Sequence, residues 1–178
     1  RLWGGFKSVM GRAIIFLSLG MLTWALGMLF WNYYIFFAQV EIPYPSLADL
    51  GFVSSIPLWE WGIIELSKAT GARFALRKIK GKMLFVIIPV IVMIASYYLL
   101  IVVARGGVIE WTSGAPKLFF DLFYPIGDIV ILSLALMLLV LSYNFLGGLY
   151  KYPIVIICLG FGVMYAADFM FSYTTTKG

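Results

Sequence analysis

Apolar residues run almost unbroken through three long segments: Ala13–Val40, Met83–Ala104 and Ile129–Tyr150 contain no charged residue. Each exceeds the roughly 20 residues needed to cross a hydrocarbon core about 30 Å thick. The polar residues, prolines and glycines around them predict five helical spans, at about 13–38, 46–67, 83–104, 117–147 and 153–173. Pro153 stands just inside the start of the fifth, where a missing N–H costs nothing. Gly147-Gly148 punctuates the end of the fourth. The expected fold is all-α: a polytopic transmembrane bundle forming one helical domain over 1–178, with a basic loop at 68–82.

Composition agrees with the pattern. The chain has 178 residues, 63% of them hydrophobic and 12% charged, with a mean hydropathy of +1.01. A soluble domain is nearer half apolar and a quarter charged. The first apolar run is too long for a signal-peptide core, and no small-residue cleavage site follows it. The single cysteine, Cys158, excludes an internal disulfide and any multi-cysteine metal site. With no histidine in the chain, His-ligated haem and His-based zinc or catalytic sites are excluded too. The chain opens on Arg and stops at "YTTTKG", so continuation beyond both ends is expected.

Charge sets the expected orientation. Arg1, Lys7 and Arg12 precede the first span. Lys68, Arg73, Arg77, Lys78, Lys80 and Lys82 fill the second loop, and Lys151 lies in the fourth. These ten of the thirteen basic residues fall on one side, against Arg105, Lys117 and Lys177 on the other. The positive-inside rule makes the N-terminus cytoplasmic and residue 178 external. Within the loop, Arg73, Arg77, Lys78, Lys80 and Lys82 are expected to meet lipid headgroups. Nothing indicates nucleic-acid binding.

Candidate chemistry lies in the acids. "IPYPSLADLGF" (42–52) opens the second span with Tyr-Pro and an aspartate, and "LFYPIGDIVIL" (122–132) repeats the arrangement in the fourth. In the expected topology Asp49, Asp128 and Asp168 share one depth. Asp168 lies 15 residues beyond Pro153, or roughly 22 Å. Asp128 precedes Gly147 by 19 residues, about 28 Å. Buried ionisable groups at such depth need a partner, water or the bundle interior. The sharper reading is an external-facing pocket shared by the three aspartates and lined by Tyr44, Tyr124 and Tyr165. The plainer one is helix-end chemistry: Ser46 and Asp49 fit a capping box, and Asp128 would favour a helix start. Asp168, near the end of its span, does not fit that account.

Glu60 follows Asp49 by 11 residues, which returns to within about 20° of the same helix face. It falls near the bilayer midplane, one turn after Pro57. No basic residue shares that depth, so Glu60 is expected to keep its proton and donate a hydrogen bond inside the bundle. The carbonyl freed by Pro57, Thr23 or Ser96 would be the partner. Glu65 is expected at the interface, near Lys68 and the basic loop.

The stretch "TWALGMLFWNYYIFFAQVEIPYPSLADLGFVSSIPLWEWGIIEL" resembles the first two spans of the multi-span N-terminal membrane region of prokaryotic sensor proteins, which precedes diguanylate cyclase or histidine kinase domains. Pro45, Ser46, Ala48 and Asp49 match its Pro-Ser-x-Ala-Asp motif. Tyr124, Pro125 and Asp128 match its Tyr-Pro-x-x-Asp motif, and Ala167-Asp168 a third. The likeness runs over about 17–173 and implies a seven- or eight-span unit. It also implies a non-enzymatic sensory or regulatory role without cofactor or metal, in a cell membrane. The bilayer is the expected partner, with other membrane subunits or a cytoplasmic output domain as further candidates. Glu60 and Glu65 depart from the pattern, standing where apolar residues and glycine are expected. An accessory or scaffold subunit of a membrane complex is the alternative.

"PIGDIVIL" is also similar to the Gly-x-Gly-Asp segment of presenilin-type intramembrane aspartyl proteases, with Asp168 as the second carboxyl. Pro125 replaces the first glycine there, and the motif order differs. An ion-coupled carrier belongs to the same remote class. No lysine lies mid-span, which removes a retinal Schiff base. Phosphate loops and nucleophile elbows are absent.

Overall fold

The computed structural model describes residues 4–107, 114–142 and 151–177, with the side chains of Arg73, Thr176 and Lys177 outside that set. It is all-α, with no strand among the described residues. Helix α1 covers Val9–Asn32 and continues as a π-helical turn, Tyr33–Ala38. Helix α2 covers Leu47–Ala69, short α3 Ala72–Ala75, and α4 Ile79–Ser96, extended by a π-helical stretch over Tyr97–Ala104. Helix α5 covers Ala115–Ser142 and α6 Lys151–Lys177. The stretch 143–147 of the expected fourth span lies outside the described residues.

Local chemistry explains several boundaries. Ser8 caps α1, its Oγ accepting the Gly11 N–H at 2.9 Å, so the helix starts at Val9 rather than at the first uncharged residue. Gln39 takes a left-handed conformation (φ 50°) after the π turn and stops it. Helix α4 starts at Ile79, which draws Lys80 and Lys82 out of the expected loop and into its first turn.

Among the described residues, four helical segments are long and apolar enough to cross a membrane: Val9–Ala38, Ile79–Ala104, Ala115–Ser142 and Lys151–Thr175. The protein is a multi-pass membrane protein. Helix α2, the expected second span, is not among them, because Asp49, Glu60, Glu65 and its serines lower its apolarity.

The chain groups into two compact units. The first comprises Arg1–Glu65 with Trp111–Gly127. Here α1 and α2 lie side by side in opposite directions. Arg12 pairs with Glu65 at 2.9 Å, Leu17 meets Gly62, Trp59 meets Gly20, and Phe52 with the Ala48 carbonyl meets Gly27. Small residues bring the backbones together: a Cβ added to Gly51 would stand 2.6–2.7 Å from the Gly27 backbone and the Thr23 carbonyl. Membrane helices associate through such close packing, since lipid supplies no hydrophobic drive between them. Helix α5 joins at Gly127, where the Ile56 side chain would lie 2.8 Å from an added Cβ.

The second unit comprises Leu66–Glu110 with Asp128–Gly178. Ala72, Met137 and Leu141 form a buried cluster, with Ala75, Leu76, Leu84, Ile88 and Leu134 packed on it. This fastens α3 to α4 and α5. Helix α6 packs along the π-helical end of α4. Thr70 and Ser142 share a hydroxyl hydrogen bond of 2.9 Å.

Candidate functional site

In the first unit, Asp49 is nearly enclosed, with 5% of its surface exposed. Its Oδ2 accepts the Ser46 N–H at 2.6 Å and the Ser46 hydroxyl at 3.0 Å. The backbone half of the capping box therefore forms, with the serine hydroxyl turned onto the same carboxyl. The remaining oxygen, Oδ1, accepts the Tyr124 hydroxyl at 2.6 Å, which ties the start of α2 to α5. Tyr44 is joined to a neighbouring acid. Its hydroxyl donates to Asp121 Oδ1 at 3.0 Å, and its ring lies 6.4 Å from that of Phe120. Phe120 in turn lies 6.1 Å from the Tyr124 ring. Two tyrosine–aspartate links thus flank one phenylalanine.

Asp121 escaped the sequence reading, which followed Tyr-Pro-x-x-Asp and passed over the acid preceding it. The available signal was spacing: 121 and 124 lie three apart, on one face of a helix.

In the second unit, the carboxyl groups of Asp128 and Asp168 are close neighbours. Tyr165 lies close to Asp128, and its hydroxyl donates to Ser96 Oγ at 2.7 Å. Ser96 is almost fully enclosed, 1% exposed. These contacts tie α6 to α5 and to α4.

Helix-end chemistry does not describe Asp128, because α5 begins at Ala115 and runs straight through Tyr124-Pro125. The two Tyr-Pro segments therefore do different things. The first precedes α2, while the second lies inside α5, where Pro125 leaves the Asp121 carbonyl without its helical donor. Asp168 is not at a helix end either, since α6 continues to Lys177.

Glu60 is half-buried, and the expected hydrogen bond is not formed among the described residues. Thr23 Oγ1 donates to the Gly20 carbonyl at 3.0 Å instead, and Ser96 receives Tyr165. Glu65 pairs with Arg12, whose Nε and terminal guanidinium nitrogen both lie 2.9 Å from its Oε2.

In the basic segment, Arg77, Lys78, Lys80 and Lys82 are exposed. Arg73 lies in α3, with its side chain outside the described set. Among the described residues no cluster of three or more metal-ligating side chains occurs. Comparison with protein families, with curated proteins and with solved structures returns no match to this chain.

Proposed function

We propose that this membrane protein is a non-enzymatic sensory or regulatory module of a prokaryotic cell membrane. Its N-terminus is cytoplasmic, residue 178 is external, and an acidic and aromatic site faces outward. The observation that supports this reading is the close approach of two carboxyl groups, Asp128 on α5 and Asp168 on α6. Two such neighbours stay together only while something neutralises one carboxylate, a proton being the simplest case. Loss of that proton leaves two like charges side by side, which favours separation. A contact with two states, biased by what occupies it, is what a sensor needs. The titratable groups facing Asp128 within this unit are Asp168 and Tyr165. In the first unit Tyr124 is joined to Asp49 and Tyr44 to Asp121.

The test places one spin label on α5 and one on α6 in reconstituted protein, and compares their separation in acidic and alkaline external buffer. The separation is expected to change in the native chain and to stay fixed in Asp128→Asn and Asp168→Asn. A separation unaffected by buffer in all three proteins removes the reading. The reading frame beyond residue 178 divides the two non-enzymatic options. A cytoplasmic cyclase or kinase domain there favours sensing, and its absence favours an accessory subunit.

The same pair gives a second reading some support, because aspartyl hydrolases use two carboxyls that share one proton. Gly127-Asp128 fits that class, while Pro125 does not. Cleavage of a helical reporter peptide, lost in both Asn variants, would favour the hydrolase.

A further inference from the structure

We propose that the basic turn joining α3 to α4, with Arg77, Lys78, Lys80 and Lys82, is a binding surface for the phosphate groups of anionic phospholipids in the surrounding leaflet. Between Glu65 and Glu110 the chain contains no acidic residue. Among the described residues none of these four cations has an acidic partner, and all four are exposed. Their charge is therefore open to an external anion.

Packing fixes where that charge points. Ala72, Ala75 and Leu76 are held against Leu84, Ile88, Leu134, Met137 and Leu141, so the apolar side of the turn is already occupied. Gly81 allows the first turn of α4 to close onto the Ala75 carbonyl, where no Cβ would fit. The Arg77 guanidinium lies over the Phe74 ring, 5.5 Å from its centre, which restrains it without neutralising it.

Apolar residues between the cations favour lipid over a soluble anion. Phe74, Ile79 and Met83 are 43%, 79% and 56% exposed. Next to water such side chains are a cost, whereas at a membrane surface they enter the acyl region while the lysines reach phosphate. The turn leads directly into α4, a helix apolar enough to cross the membrane. It therefore lies at a bilayer surface in either orientation of the chain, and the inference does not depend on a sensory role.

The test is native mass spectrometry of the intact protein in mild detergent, supplied with equal phosphatidylglycerol and phosphatidylcholine. A detergent measurement is independent of how each variant inserts in cells. Native protein is expected to retain phosphatidylglycerol preferentially. Replacing all four cations with glutamine should reduce that preference about tenfold or more, and Lys80→Gln alone about fivefold. The triple variant Lys78→Arg, Lys80→Arg, Lys82→Arg should keep it. Equal retention by the native and four-glutamine proteins overturns the proposal. So does displacement of phosphatidylglycerol by inorganic phosphate at matched concentration, which would identify a site for soluble anions. Lys80→Gln provides the reading if the fourfold variant fails to fold.

Discussion

Asp49 draws on three donors, two from Ser46 and one from Tyr124, and each arrives from a different covalent setting. The Ser46 N–H is an orphan of the α2 start, so accepting it costs nothing elsewhere. The Tyr124 hydroxyl has to be held in place by α5. Tyr124→Phe keeps the ring against Phe120 and deletes only this donor. It should lower stability by about 1–3 kcal/mol, because an enclosed carboxyl oxygen is left unsatisfied. Chemical unfolding in detergent micelles reads the loss, and a variant as stable as the native chain would remove Tyr124 as a tie between helices. Glu60 gives the opposite case. It makes no hydrogen bond among the described residues and is half-buried, so Glu60→Gln and Glu60→Leu should both stay within about 0.5 kcal/mol of native stability. A selective loss in the leucine variant would show that the carboxyl has a partner in the bilayer.

At the scale of the helix, the seam between α1 and α2 is built from absence of side chain. Ala13, Gly20 and Gly27 on α1 recur every seven residues, as do Ala48, Ser55 and Gly62 on α2, and all six are buried. Gly51→Val should therefore disrupt the seam, because even its Cβ would fall within 2.7 Å of α1 backbone that cannot rotate away. Gly160 and Gly162 on α6 have open space around an added Cβ. Alanine at either should be neutral or stabilising by about 0.5–1 kcal/mol through helix propensity. Cross-linking yield between cysteines in α1 and α2 and thermal unfolding check the two expectations, and a native-like Gly51→Val would mean that the helices are not in backbone contact. The existence of the helices was legible in the sequence, because uninterrupted apolar runs need no periodicity to be recognised. Which face of each helix packs was not, because lipid-facing and protein-facing surfaces are equally apolar. The sevenfold recurrence of small residues was the readable signal. The Pro-Ser-x-Ala-Asp and Tyr-Pro-x-x-Asp motifs drew attention to Asp49 and Asp128 as polar positions. They said nothing of Asp121, or of the pairing of Asp128 with Asp168, which depends on how α6 lies against α5.

For the whole chain, orientation depends on whether α2 crosses the membrane, since composition alone credits only four crossings. The geometry of the first unit supplies what composition lacks. Arg12, near the start of α1, pairs with Glu65, near the end of α2, and the contacts between them continue to Gly27 and Ala48. A helix that runs antiparallel along a spanning partner for its full length traverses the same thickness. Its acids are tolerable there because Asp49 and Glu65 are satisfied within the protein rather than in lipid. The expected topology then places Lys7 and Lys78 together in the cytoplasm and Lys177 outside. Single cysteines at these three positions, probed with a membrane-impermeant maleimide, test it directly. Cys158 is buried, with its Sγ directed at the Ala135 carbonyl, so its background should be low. Intact cells should label position 177 alone, and permeabilised cells all three. Labelling of 78 without 177 in intact cells would invert the orientation. Labelling of 7 and 78 from opposite sides would carry the larger consequence. An even number of crossings between them requires α2 to span with α1, so that result would leave α2 as a helix packed on the bundle without crossing.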